Sequence, residues 1–328
     1  MKAVRIYEHG GPEVIRVEDV PIPEPGEGQV RIKVAAASVN FADMYIRRGP
    51  GHPSPIPIRV TLPCGLGADA AGTVDSVGAD VEGFEPNQRV AGTFVNAAYA
   101  EYALASAKLL VGVPTDISLE TAAAVLLSGL VAHYLAETTY PLRQGDVALV
   151  HAASGSIGLL LVQLAKRRGA VVIGTVSSEA KAEAARNVGA DLVINYTTDD
   201  FASEVLDYTQ AQGVHVVYDS VGKEVYEKNF KVLRKRGMFV NYGQASGPLP
   251  PLKWDDLRPG SFYVARPKLP DHISSREEFL NRARDIMGLV ESGDLKVKIS
   301  RQFSLDGLAE AHRLLEERKS IGKAIIVP

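Results

Sequence analysis

The stretch Ala152-Ala153-Ser154-Gly155-Ser156-Ile157-Gly158 has the composition of an anion cradle. It follows the apolar run Val147-Ala148-Leu149-Val150-His151 and opens a segment, Ile157 to Arg168, in which Ile157, Leu160, Leu161 and Leu164 recur at helical spacing. Gly155 lets backbone approach a diphosphate with no Cβ in the way, and Gly158 lets the helix lie close on the strand. The helix N-terminus adds free N–H groups and the positive end of a dipole. Ala153 stands where the dinucleotide fingerprint has its first glycine, so the position between strand and helix carries more weight than the bare pattern. Gly155, Ser156, Ile157 and Gly158 are therefore expected to hold the diphosphate of a dinucleotide.

About twenty residues beyond Gly158, an NAD-binding chain places Asp or Glu against the ribose hydroxyls. This chain has Ser177-Ser178 there, and the missing acid argues for NADP(H). If Ser178 caps the following helix, Lys181 falls in its first turn, where a cation opposes the macrodipole unless it meets an anion. A 2′-phosphate would be that anion; the alternative is a solvated surface lysine beside Glu179.

Metal chemistry has no visible foothold. Cys64 is the only cysteine, and the seven histidines, His9, His52, His133, His151, His215, His272 and His312, show no ligand spacing with it or with one another. Each reads as structural or surface. Without a Lewis acid, alcohol oxidation is hard, whereas passing hydride to an electron-poor acceptor needs mainly positioning and a proton source.

The elements that must position these groups form an α/β chain. From Lys2 to Val39, Val30, Ile32 and Val34 alternate with Arg31 and Lys33 among turn residues, and further short apolar segments run from Ala71 to Val77 and from Arg89 to Phe94. A half-buried antiparallel sheet fits this mostly β third. A helical stretch, Glu120 to Tyr134, then leads into a strand-helix rhythm with strands expected at Val147–Ala152, Val171–Val176, Leu192–Asn195, Val214–Asp219, Met238–Tyr242 and Phe262–Ala265. That is the count of a doubly wound parallel sheet. Two helical patterns follow, around Phe279 to Val290 and Leu308 to Leu315, with strands expected at Lys296–Ile299 and Lys323–Val327; this tail should return to complete the N-terminal domain. The expected division is 1–124 with 267–328 against 125–266, with the active site in the cleft between them.

At 328 residues, with 36 basic and 39 acidic side chains dispersed along the chain, there is no basic cluster for nucleic acid or a membrane surface. No apolar run approaches the length of a membrane span, and Met1 to Ile6 opens as a strand rather than a leader, so a cytoplasmic location is expected. A lone cysteine agrees.

Val39-Asn40-Phe41-Ala42-Asp43-Met44-Tyr45-Ile46-Arg47-Arg48-Gly49 resembles the VNFxDxYxRxG signature of the quinone oxidoreductases, zinc-free (zeta-crystallin-like) members of the medium-chain dehydrogenase/reductase superfamily. Leu62 to Gly72, Gly129 to Leu135, Gly260 to Pro267 and Ala311 to Gly322 match in the right order, so the likeness spans essentially the whole chain. It implies a GroES-like catalytic domain beside a Rossmann nucleotide-binding domain, NADPH as cofactor, a quinone or activated alkene as substrate, and a homodimer paired through the nucleotide domains. Asp69 departs from the family's usual Glu, and Ser128 stands where bacterial relatives often have Lys or Gln.

The resemblance puts Asn40 and Tyr45 beside the nicotinamide, with Tyr45 as polar orienter or proton donor; a tyrosine packed with its hydroxyl satisfied is the alternative. Asp43 is expected to brace its loop. Ser128, Tyr196, Ser220, Gly243, Gln244, Val264 and Arg318 match family positions near the cofactor, although Gly243 also suits an ordinary turn and Arg266 a structural role. NADPH-dependent quinone reduction is the expected activity, and reduction of an enoyl thioester or enone is the alternative. A crystallin-like or RNA-binding role, known among relatives, finds no basic run here.

Overall fold

The computed structural model describes residues 1–51 and 60–328, so His52 lies outside the described residues. Two compact units emerge, Met1–Leu130 with Ile273–Pro328, and Val131–His272. Among the described residues, the first is built on a seven-stranded and a three-stranded sheet and the second on a six-stranded one.

The first unit begins with β1 (Lys2–Ile6), β2 (Arg16–Asp19), β3 (Gln29–Ser38), helix α1 (Phe41–Arg48), β4 (Cys64–Gly65), β5 (Asp69–Val77), β6 (Arg89–Thr93), β7 (Tyr102–Ser106) and β8 (Leu110–Gly112). In β3 the alternation is realised as expected: Val30, Ile32 and Val34 are buried and Lys33 is exposed. β3 is the hub, pairing antiparallel with both β5 and β7. Register shifts at Arg31/Ile32 and Val34/Ala36 bend it, and its last residues carry Ser38 and then Asn40 into the polar centre of the unit.

Helix α1 is a correction to the loop expected after β3. Asn40 is its N-cap, Asp43 occupies the third helical position, and Gly49 at φ 82° ends it, a start-and-stop pattern legible in the sequence. Helix α2 (Leu119–Tyr134) passes into a π-type turn, Leu135–Thr139. Together they make one helix long and apolar enough to cross a membrane, contrary to the expectation above, because the helix absorbs Glu120, Ser128 and His133 without breaking. Most of its apolar window, 72%, is buried within the fold.

The second unit runs β9 (Val147–Val150), α3 (Ser156–Arg167), β10 (Val171–Val176), α4 (Glu179–Arg186), β11 (Leu192–Asn195), α5 (Phe201–Tyr208), β12 (Val214–Asp219), α6 (Tyr226–Val232), β13 (Leu233–Asn241), the short α7 (Trp254–Leu257) and β14 (Tyr263–Ala265). Its six parallel strands lie in the order β11-β10-β9-β12-β13-β14, the doubly wound Rossmann arrangement, with the order reversing between β9 and β12. Leu149, Ile173, Val217 and Phe239 from the sheet pack with Phe201, Val205 and Tyr226 from the helices.

The tail, α8 (Arg276–Glu291), β15 (Ile299–Phe303), α9 (Leu308–Glu316) and β16 (Lys323–Ile326), belongs to the first unit, where β16 pairs antiparallel with the end of β3. Phe303, Leu308, Ala311 and Ile326 close the core over Val30, Ile32 and Val74. The strand expected at Lys296–Ile299 forms later, because its partner begins only at Lys323, opposite Ile299.

Candidate active site

The cradle forms where the order of the parallel strands reverses. β9 ends at Val150, Ala152 takes φ 51°, and Gly155 in extended conformation caps α3. Ala153 N–H donates to Thr175 O at 3.1 Å, tying the turn to β10. A Cβ on Gly155 would meet only Ala152 O, at 3.3 Å, whereas one on Gly158 would press into turn backbone, 2.4 Å from Ala152 O. Gly158 thus brings the helix down onto the turn, and Gly155 leaves open the space a side chain would fill. The first turn of α3 carries no acid and its last turn carries Lys166 and Arg167, so its amides keep their positive field for an incoming anion. These residues fit a dinucleotide diphosphate.

His151 underpins the turn. Its Nδ1 lies 2.8 Å from Thr175 Oγ1 and its Nε2 2.7 Å from Asn229 Oδ1, with the Phe201 ring edge-to-face at 4.9 Å. Burial pushes the imidazole down to about 4, the Asn229 bond opposing, so it stands neutral between strand and helix. Nothing in its sequence position distinguished this strut from other buried histidines.

The other expected residues of this unit follow successive strand ends. Ser177 and Ser178 come after β10, Tyr196 after β11, Ser220 after β12, and Gly243 and Gln244 after β13. Lys181 Nζ donates to Ser177 Oγ at 2.8 Å, while Tyr196 N–H donates to Val176 O at 3.0 Å, so these two strand ends are stitched together. Ser178 occupies the N-cap position of α4, yet its hydroxyl makes no capping bond. A Cβ on Gly243 would sit 2.9 Å from Ser220 O, so the β12 and β13 ends are in close approach, as an ordinary turn glycine would not require. Beneath them Asp219 accepts from Val221 N–H and Gly222 N–H at 2.7 and 3.0 Å; burial holds its carboxyl up at about 6. Val264 is the exception: it lies within the outermost strand, opposite Phe239, and is 39% exposed.

In the first unit, Asn40 and Asp43 belong to one buried network. Asn40 Nδ2 donates to Asp69 Oδ1 at 2.9 Å and to Ser38 O at 3.1 Å, and Ser38 Oγ donates to Asp69 at 2.7 Å. Lys323 Nζ, from β16, donates to Asn40 Oδ1 at 2.6 Å. Asp43 accepts from Asn40 N–H at 3.1 Å and from Tyr99 OH at 2.7 Å, which braces the start of α1 as expected. Burial raises its carboxyl to about 7, with the Tyr99 bond opposing. Lys323 and Tyr99 were missed by sequence reasoning, although a lysine heading the apolar strand Lys323–Ile326 was a signal.

Tyr45 is buried on α1, its ring 6.4 Å from that of Phe41, and its hydroxyl bonds to no described residue. Burial raises the phenol above its ordinary value, so it stays protonated. Ser128 on α2 is buried with its Oγ lacking a partner among the described residues. Arg318 follows α9 at φ 55°. Among the described residues no group of three or more His, Cys, Asp or Glu is arranged to hold a metal ion.

Residues 26–115 match the family model for the alcohol dehydrogenase GroES-like domain, and residues 156–268 that for zinc-binding dehydrogenase. The chain is 40% identical over 329 residues to a quinone oxidoreductase of Pseudomonas aeruginosa, covering 100% of this chain and 99% of the relative. It is 38% identical over 331 residues to a 2-haloacrylate reductase of Burkholderia, covering 99% of this chain and 98% of the relative. Among solved structures, the Escherichia coli quinone oxidoreductase complexed with NADPH superposes at TM-score 0.95 with 35% identity, all of both chains being covered. A mycobacterial protein complexed with NADPH reaches the same TM-score at 38% identity, again over both whole chains. With the cradle, the serine-lysine corner and the buried Asn40 network already in hand, these likenesses make the chain a member of the quinone oxidoreductase family of the medium-chain dehydrogenase/reductase superfamily.

Proposed function

We propose that the chain is an NADPH-dependent quinone reductase. The observation that carries this is the acid-free cradle at the start of α3 beside a corner made of Ser177, Ser178 and Lys181. The α3 amides bind the diphosphate, and the two hydroxyls and the ammonium take the 2′-phosphate through charge-assisted hydrogen bonds. Tyr196, Ser220, Gly243 and Gln244 border the same row of strand ends and complete the cofactor site of this unit, with Val264 as an outlying member; Ser128 and Arg318 are proposed as cofactor contacts on the family resemblance alone.

When bound, NADPH supplies the hydride. Asn40 anchors the start of α1, and Tyr45 on the same helix keeps a phenolic O–H that no described neighbour uses, available to orient or protonate a reduced acceptor oxygen. A zinc-free reaction belongs to this proposal and rests on the sequence, in which Cys64 is the only cysteine and the histidines lack ligand spacing.

β14 forms one edge of the sheet, with Tyr263 56% exposed, and we assign this edge to pairing with a second copy in a homodimer. The location proposed is the cytoplasm, with neither a membrane nor nucleic acid as partner.

A second reading, reduction of an activated alkene such as an enone or enoyl thioester, is favoured by the similarity to the 2-haloacrylate reductase. NADPH oxidation measured against benzoquinone, naphthoquinone, 2-haloacrylate and enoyl thioesters separates the two. Turnover with quinones alone supports the first reading, and turnover with the alkenes alone replaces it.

A further inference from the structure

A lysine in a protein core needs a reason. Lys323 is 4% exposed, and burial pulls its ammonium down against the attraction of Asp69 and Asp43. Its Nζ donates to Asn40 Oδ1 at 2.6 Å. On the other side of the same carboxamide, Nδ2 donates to Asp69 Oδ1 at 2.9 Å. The amide is therefore clamped between a cation and an anion. A flipped amide would point its NH2 at the ammonium and its oxygen at the carboxylate, turning two charge-assisted bonds into two repulsive contacts. The second Nδ2 hydrogen is shared between Ser38 O at 3.1 Å and Ser38 Oγ at 3.2 Å. What stays uncommitted on Asn40 is one lone pair of Oδ1.

We propose that Lys323 is a positioning residue, which with Asp69 locks the Asn40 carboxamide so that Asn40 meets a bound ligand as an acceptor only, selecting a hydroxyl or N–H group. The link to turnover rests on the proposed function and on the expectation, carried by the family resemblance, that Asn40 lies beside the nicotinamide; the lock itself does not. A competing role, in which Lys323 only balances buried charge, makes a different prediction.

The discriminating variant is the double substitution Lys323→Met with Asp69→Asn, which removes cation and anion together and keeps the site neutral. In asparagine-¹⁵N-labelled apo-protein, the Asn40 side-chain NH2, assigned by its loss in Asn40→Asp, should be one sharp, exchange-protected pair in the wild type. In the double variant it should split or broaden, while kcat for NADPH oxidation falls about tenfold at a melting temperature close to wild type. A single sharp pair in the double variant overturns the lock. A disturbed pair with wild-type kcat overturns its role in turnover. Wild-type protein without NADPH-linked reductase activity overturns the functional reading instead, and the apo-protein spectra still judge the lock. Should the double variant fold poorly, Asp69→Asn alone, which retains the ammonium, must show the amide disturbed; an undisturbed pair there also overturns the lock.

Discussion

Replacing Gly158 by Ala tests the cradle through packing before any ligand is added. The new Cβ would lie 2.4 Å from Ala152 O, 2.8 Å from Ala153 Cα and 2.9 Å from Ala153 C, all backbone atoms of the turn. No flexible side chain can give way, and with ordinary contacts near 3.5 Å the helix must retreat by roughly an ångström. Overpacking of this kind costs about 1–3 kcal/mol. At about 3 °C per kcal/mol, the thermal midpoint should fall by about 3–9 °C. Gly288→Ala is the matched control: on α8 its Cβ would meet nothing within 4 Å, and helix propensity should stabilise the protein by about 0.5–1 kcal/mol. Calorimetric melts of the three proteins, with and without NADPH, read both effects, and the stabilisation by NADPH should shrink in Gly158→Ala as the amides draw back. A Gly158→Ala protein melting within a degree of wild type, or a control that falls as far, would refute the packing argument.

Tyr45→Phe removes a hydroxyl with no described partner, so the melting temperature should hold while kcat drops about tenfold or more and NADPH affinity changes little; full activity rejects the role. His151 and His312 are pushed by burial from 6.5 to about 4 and about 3, so their contribution is complete above pH 6.5 and is lost as pH falls through those values. Both His312 nitrogens lack partners among the described residues, so His312→Leu should melt higher than wild type at pH 5 relative to pH 7.5; an unchanged pH dependence would count against it. Asp43, raised by burial to about 7, behaves oppositely: its stabilisation is complete below pH 3.8 and is lost as pH rises through 7. Asp43→Asn should therefore flatten the decline in stability between pH 5 and 8, and a melt with wild-type slope across that range would contradict this.

Much of the fold was legible because its periodicities are strong. The alternation of Val30, Ile32 and Val34 marked a half-buried strand, and the strands Val171–Val176, Leu192–Asn195 and Val214–Asp219 fall where their apolar runs lie. The nucleotide cradle was legible because a helix N-terminus without an acid, directly after a buried strand, has few uses. Helix α1 was not read, although Asn40, Asp43 and Gly49 spell its caps, because the signature residues drew attention to chemistry rather than to helix ends. Two partners of Asn40 and Asp43, Lys323 and Tyr99, stand far away in sequence. Long-range pairing of β16 with β3 brings Lys323 in, and no local pattern encodes that register.

The central claim is that the amides of α3 grip a diphosphate while the Ser177–Lys181 corner takes a further phosphate. Isothermal titration of NADPH and NADH into the wild-type protein and into Ser177→Asp tests it most directly. A saturable heat with NADPH, at least about tenfold tighter than with NADH and a preference that narrows or reverses in Ser177→Asp, is the predicted result. No heat with NADPH, or a preference untouched by the new carboxylate, would contradict it.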